Sequence, residues 1–137
     1  MKFIDTNIFL YAIDKSNPDK QVVAATFVAE ALRPGSDCLI SVQVLSEFAS
    51  VALRKMKLPA RIVLAMLQEL QKIPCADITP SIPSRAVEIQ ELYELQFYDS
   101  QLMAMAERYR CVEFVSEDLN DGQSYCGVRV VNPFKDL

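Results

Sequence analysis

The sequence predicts an α/β fold, a three-layer α/β/α domain built on a short, mostly parallel sheet. Three observations lead there. Short, largely apolar segments such as Phe3-Ile4, Cys38-Leu39-Ile40 and 112–115 alternate with longer stretches of helical periodicity. Short buried strands that alternate with helices imply a parallel or mostly parallel sheet with helices on both faces. The seven prolines and three glycines punctuate single elements and mark no linker, repeat or low-complexity stretch, so one domain over residues 1–137 is expected.

Phe3 and Ile4 start the first strand. Asp5, Thr6 and Asn7 are all N-cap types, and the apolar run 8–13 behind them reads as a helix. A second helix begins near Asp19, after Pro18, and stops at Pro34-Gly35, with Val22, Val23, Ala25, Phe27, Val28, Ala31 and Leu32 as its apolar side. Cys38, Leu39 and Ile40 form the second strand, and Ser41 is placed to cap a third helix over 42–57. Leu58-Pro59 opens a fourth helix carrying Ile62, Val63, Met66, Leu67 and Leu70, which Pro74 ends. Residues 75–78 can make a strand. Pro83 then opens a helix through Leu95 that turns Ala86, Val87, Ile89, Leu92 and Tyr93 to the core. The next helix starts at Tyr98-Asp99-Ser100 and carries Leu102, Met103, Ala106 and Tyr109. Segments 112–115 and 128–131 supply two more strands, the second just before Asn132-Pro133.

Composition narrows the chemistry. The longest apolar runs, 8–13 and 62–67, fall far short of the ~20 residues needed to span a bilayer, and the first lacks the features of a secretory signal, so a cytoplasmic protein without membrane contact is expected. There is no histidine, which removes the commonest general base and zinc ligand. Cys38, Cys75, Cys111 and Cys126 form no C-x-x-C pair and read as small core hydrophobes in a reducing compartment. The net charge of −4 supplies no general basic field to draw in a polyanion.

Acid and base work therefore falls to carboxylates. Open parallel sheets bind ligands beyond the carboxyl ends of their strands, and two acids stand there: Asp5 after the first strand and Asp118 after the strand ending at Val115-Ser116. Glu47 lies on a helix face shared with Val44 and Val51 and has no basic residue within four positions, so its desolvation calls for a partner. Asp99 opens the helix of Leu102 and Met103. Taken singly, Asp5 and Asp99 serve as helix caps, Asp118 as a turn residue and Glu47 as the edge of an apolar stripe. Taken together, four carboxylates in a chain without histidine suit a site for magnesium or manganese, which prefer oxygen ligands. Ion pairs of this kind, about 3.5–4 Å apart, serve phosphodiester hydrolysis. The eighteen acids exceed the fourteen bases by four, the size of this set, so bound metal would neutralise the excess.

With these residues in view, the chain resembles the PIN-domain nucleases, and within them the VapC-like toxins of toxin–antitoxin pairs. The resemblance rests on Phe3-Ile4-Asp5-Thr6-Asn7, Ser46-Glu47-Phe48, the run from Tyr98-Asp99-Ser100 to Ala104, Ser116-Glu117-Asp118-Leu119 and Val131-Asn132-Pro133-Phe134, in that order along nearly the whole chain. It implies a metal-dependent endoribonuclease that cuts single-stranded RNA with Mg2+ or Mn2+. Asp5 and Asp99 would be the leading metal ligands, Glu47 and Asp118 would complete the site, and Thr6 and Ser116 would hold the carboxylates in place. Asp121 is expected to be a surface turn acid. The helices around 22–32 and 62–70 read as core; the resemblance also implies a cognate antitoxin and a homodimer, with comparable helices forming the groove for the one and a contact for the other. The basic run Arg54, Lys55 and Lys57, with Arg61 beyond it, is either an RNA-phosphate contact or a solvated helix end.

Other readings fit less well. A haloacid-dehalogenase-type phosphotransferase needs an acid where Asn7 stands, and a receiver-type switch needs one in Cys38-Leu39-Ile40-Ser41. Gly35, Gly122 and Gly127 make no phosphate cradle. A PIN-domain RNA-processing enzyme that is not a toxin, and a PIN fold kept as a binding module without catalysis, remain open.

Overall fold

The computed structural model describes residues 1–137 and has the expected α/β architecture. Its elements are β1 (Lys2–Ile4), α1 (Thr6–Ala12), α2 (Pro18–Ala31), β2 (Cys38–Ser41), α3 (Val42–Arg54), α4 (Ala60–Leu70), β3 (Cys75–Ala76), α5 (Ser81–Tyr93), α6 (Phe97–Arg108), β4 (Glu113–Val115), β5 (Ser124–Tyr125) and β6 (Val128–Val131). The sheet order is β3-β2-β1-β4-β6-β5, parallel except where β5 runs against β6. The first crossovers step from β1 outward through β2 to β3. The next returns to the far side of β1, so the switch in direction falls between β1 and β4. Right-handed crossovers then put α1–α4 on one face and α5–α6 on the other. The packing agrees: α1 lies on α2 and α3, α3 on α4, α5 on α6, and α6 on β4 and β6. No helix is long and apolar enough to cross a membrane.

The core follows from this layering. Phe3 and Phe114, on the adjacent central strands, are fully buried and stack with ring centroids 5.5 Å apart. Helix α6 is buried around its whole circumference from Ser100 to Ala106, as a helix without a polar face must be.

Several local expectations give way to tertiary context. Ser41 ends β2, pairs with Ala76 and makes no side-chain cap; its Oγ is buried without a partner. Val22, Val87 and Leu92 lie exposed, and Tyr109 reaches solvent. Of the cysteines, Cys38 and Cys111 are buried, Cys126 is partly so, and Cys75 is exposed because β3 is a short edge strand. The unanticipated β5 is one arm of a hairpin whose turn, Cys126-Gly127, has both residues at positive φ, 53° and 80°. That matches the handedness a two-residue hairpin needs.

Helix α5 ends on Glu94 in the left-handed region (φ 58°), a position that glycine occupies without strain. Glu94→Gly is therefore expected to raise stability by ~1 kcal/mol in denaturant unfolding. A loss of stability would show that the Glu94 side chain contributes more than its backbone costs.

Candidate metal centre

The C-terminal edge of the sheet assembles the acids. β1 and β4 pair with Ile4 opposite Val115, so Asp5 and Ser116 leave neighbouring strands side by side at the switch point. The Asp5 amide extends the ladder by donating to the Val115 carbonyl at 3.0 Å. Both Asp5 carboxylate oxygens are engaged: Oδ1 accepts from the Thr6 amide at 2.6 Å, Oδ2 from Ser116 Oγ at 2.7 Å. Asp5 is thus both the cap of α1 and a member of the cluster. Ser116 Oγ in turn accepts from the Asp118 amide at 3.1 Å, tying two of the acids to one hydroxyl.

Asp99 is the third residue of α6, whose N-cap position is held by Gln96, so it does not cap as the sequence suggested. Its carboxylate is half-buried beside Asp118 and Glu47. Ligand oxygens of Asp5, Asp99 and Asp118 all lie within 4.8 Å of one another. Glu47 stands outside this trio on α3. Its Oε1 accepts from Gln43 Nε2 at 2.9 Å and, at the longer distance of 3.4 Å, from Thr6 Oγ1.

Other members of the site had no role in the sequence reading. Asn7 donates from Nδ2 to Asp118 Oδ2 at 2.9 Å, while its Oδ1 is buried without a donor. An orphaned acceptor beside three carboxylates fits a site that receives a hydrated cation, whose waters would supply the missing donor. Gln43 also donates to the Tyr98 carbonyl at 3.0 Å and accepts from Gln101 Nε2 at 2.7 Å, joining α3 to α6 behind the acids. Its spacing four residues before Glu47 on one helix was the available signal. Glu117 points away from the trio: Tyr11 and Lys20 both donate to it at 2.5 Å, and Lys20 also lies over the rings of Tyr11 and Phe134. This fastens the segment that carries Asp118 to α1 and α2.

Asp121 lies outside the cluster, accepting from the Asn132 amide and pairing with Lys135. In the basic run, Arg54 bonds Ser50 on its own helix, Lys57 takes a left-handed turn conformation and Arg61 is exposed in the first turn of α4. Lys55 lines a cavity that begins at Asn7.

No ion pair of the chain includes Asp5, Glu47, Asp99 or Asp118. The electrostatics follow. Burial pushes Asp5 up to about 7; the Ser116 hydrogen bond opposes this, and the charges of Asp118 and Asp99 reinforce it. Burial, then the charges of Asp118 and Glu47, lifts Asp99 to about 6. Burial and the neighbouring Glu117 raise Asp118 as well, with the charge of Lys20 opposing them. The donor set, hard oxygens in no ion pair of the chain, fits magnesium or manganese.

Fold and cluster together define a small α/β domain with a carboxylate site suited to a hard cation at its switch point. The PIN domain profile matches residues 2–120, and the chain belongs to that family. Its fold is shared by a toxin–antitoxin complex from Klebsiella pneumoniae, with TM-score 0.71, 22% identity and 98% of each chain covered. It is also shared by VapC20 of Mycobacterium tuberculosis, described as a sarcin–ricin loop cleaving toxin, with TM-score 0.69 and 17% identity over 94% of this chain and 99% of that one. FitAcB from Neisseria gonorrhoeae aligns with TM-score 0.62 and 18% identity over 98% of this chain and 99% of that one. No curated protein matches the sequence.

The raised carboxylates set a pH dependence. Unfolded, Asp5 and Asp99 release their protons near 3.8; folded, near 7 and 6. Over that interval the folded chain holds protons that the unfolded chain has lost, so stability is full below the lower value and falls as pH rises through the upper ones. In chelator, Tm is expected to fall between about pH 4 and about pH 7, and Mg2+ or Mn2+ to restore it most at the alkaline end. Asp5→Asn should flatten the trend. A Tm independent of both pH and metal would contradict this account of the cluster.

Proposed function

We propose that the protein is a metal-dependent endoribonuclease acting as the toxin of a toxin–antitoxin pair, hydrolysing phosphodiester bonds in single-stranded RNA or in exposed loops of structured RNA. The observation that carries the reading is the carboxylate trio of Asp5, Asp99 and Asp118, uncompensated within the chain and seated at the switch point of a PIN fold. These three would hold Mg2+ or Mn2+. Bound there, such an ion supplies Lewis-acid stabilisation of a phosphoryl oxygen and a water nucleophile at neutral pH.

The chain's own residues have distinct tasks. Ser116 and Thr6 aim Asp5 through its two oxygens, and Asn7 aims Asp118. Gln43 and Thr6 fix one oxygen of Glu47, leaving the other to orient or deprotonate the attacking water. Arg54, Lys55, Lys57 and Arg61 meet the phosphates of the RNA strand. The solved toxin–antitoxin neighbours support a protein inhibitor as partner. An apolar groove of about 150 Å³ between α1, α2, α3 and α4, walled by Phe9, Ile13, Val28, Leu32, Phe48 and Met66, gives such a partner a seat. On this reading the protein works in the cytoplasm, and a second copy of the chain is a further partner.

Purified protein with Mg2+ or Mn2+ is expected to cut a mixed pool of single-stranded and transfer RNA, and chelator to stop it. Asp5→Asn and Asp99→Asn should abolish cleavage while the far-UV spectrum is kept, and Ser116→Ala should lower it by about 10–100-fold. A fully active Asp99→Asn protein would sink the proposal. Glutamine at Arg54, Lys55, Lys57 and Arg61 should flatten the slope of log K against log salt for RNA binding by about 0.7 for each phosphate that is no longer neutralised. An unchanged slope would return the run to ordinary surface.

A further inference from the structure

Four cavities indent the surface, and the largest, of about 380 Å³, is also the one that touches the acid network. It lies between α1 and α3, walled by Leu10, Tyr11, Val51 and Met56, with Asn7, Asp14 and Lys55 at its polar positions. Its size falls within the ~300–1,000 Å³ of small-molecule sites. Asn7 is a shared wall: the same side chain that faces the cavity donates to Asp118 at 2.9 Å. Whatever fills the cavity therefore sits beside the carboxylate trio.

The lining selects the occupant. Leu10, Val51 and Met56 are half-buried and offer apolar surface to a flat ring. The Tyr11 ring is held by residues that do not line the cavity, its hydroxyl bonded to Glu117, Lys20 over the ring at 4.6 Å and Phe134 edge-to-face with it at 5.1 Å between centroids. It is thus a fixed aromatic platform of the kind on which unpaired bases stack. Lys55 is exposed and makes no ion pair, leaving its ammonium for a phosphate. Asp14 takes both its hydrogen bonds, from Ser16 N and Ser16 Oγ, on Oδ1. Its Oδ2 is left as an acceptor for a ribose hydroxyl or a base amine. Aromatic and apolar walls, one cation and one open acceptor match a nucleotide unit better than an anion alone, which Asp14 would repel.

We propose that this cavity is the subsite for an unpaired nucleotide next to the scissile phosphate, its base against Tyr11 and Met56 and its phosphate toward Lys55. The proposal rests on the ribonuclease reading above and assigns it a substrate-positioning surface outside the carboxylates. Four residues of the site, Asn7, Leu10, Tyr11 and Asp14, belong to one stretch of chain around α1, while Val51, Lys55 and Met56 close it from the end of α3.

The test uses the full chain with labelled methyl groups and ribonucleoside 5′-monophosphates, in chelator so that the acid cluster is silent. Added monophosphate is expected to shift the methyls of Leu10, Val51 and Met56 and to leave that of Leu64, on the outer side of α4, in place. Lys55→Gln, at an exposed position, should weaken this binding several-fold, and Val51→Trp should block it by filling the cavity. With metal and a single-stranded RNA, both variants should raise KM about tenfold with a smaller effect on kcat; an abasic nucleotide beside the cut should erase the difference of Val51→Trp from wild type and leave that of Lys55→Gln, whose phosphate contact it keeps. Metal-dependent cleavage without any shift at the three methyls would overturn the subsite and leave the nuclease standing. Methyl shifts that Lys55→Gln weakens and Val51→Trp abolishes, in a protein that cuts no RNA, would support the nucleotide site and refute the nuclease. Shifts that follow protein concentration without nucleotide would overturn the proposal in favour of a contact between copies.

Discussion

Three carboxylates held within 4.8 Å of one another, partly out of water and without a basic partner, set the terms for the rest of the structure. Each member opposes ionisation of the others, and burial adds to the cost. A fold that only minimised energy would separate such groups or place a lysine among them. Here Lys20, whose charge reaches Asp118, is bonded to Glu117, and no cation of the chain forms an ion pair with the trio. The charge is relieved by protonation, as the raised carboxylates show, or by a cation from solvent, and in this it differs from a structural ion-pair network.

Rigidity at the acids comes from the sheet and from hydroxyl and amide donors that carry no charge. Asp5 is fixed at three points: its backbone continues the ladder to Val115, one side-chain oxygen accepts from the Thr6 amide and so caps α1, and the other accepts from Ser116. Neutral donors position a carboxylate without neutralising it, so the negative charge stays available to a metal. The Gln43–Gln101 bridge does the same between α3 and α6.

The fold class and much of this site were legible because strand ends can be read locally. Asp5 follows Phe3-Ile4 and Asp118 follows Val115-Ser116, so a parallel sheet alone implies that both stand at its carboxyl edge. Asp99 needed the family-like run around Tyr98-Asp99-Ser100, since by position it reads as a cap, which α6 instead leaves to Gln96. The side chains that arrange the acids were not legible, because their partners lie far off in sequence. Asn7 and Asp118 are 111 residues apart, Lys20 and Glu117 97, and Gln43 and Gln101 58. Periodicity shows which face of its own element a residue occupies, not which distant element meets it. The same limit misplaced Ser41, whose strand pairing overrides its capping tendency, and Val87 and Leu92, which an apolar stripe assigned to a core that Ile82, Ala86 and Ile89 already fill.

Helix α1 joins features that the sequence presents separately. Within seven residues it bears Phe9 toward the apolar groove, Asn7 toward Asp118, and Leu10 and Tyr11 toward the cavity that ends at Lys55. Its first turn is bonded to Asp5 itself, and Tyr11 bonds the residue preceding Asp118. Any displacement of α1 therefore acts on two of the three clustered carboxylates at once, through these hydrogen bonds. On the proposed reading, a partner seated in the groove need not reach the carboxylates to disturb them, because its force on Phe9 is transmitted by the helix that Asp5 caps.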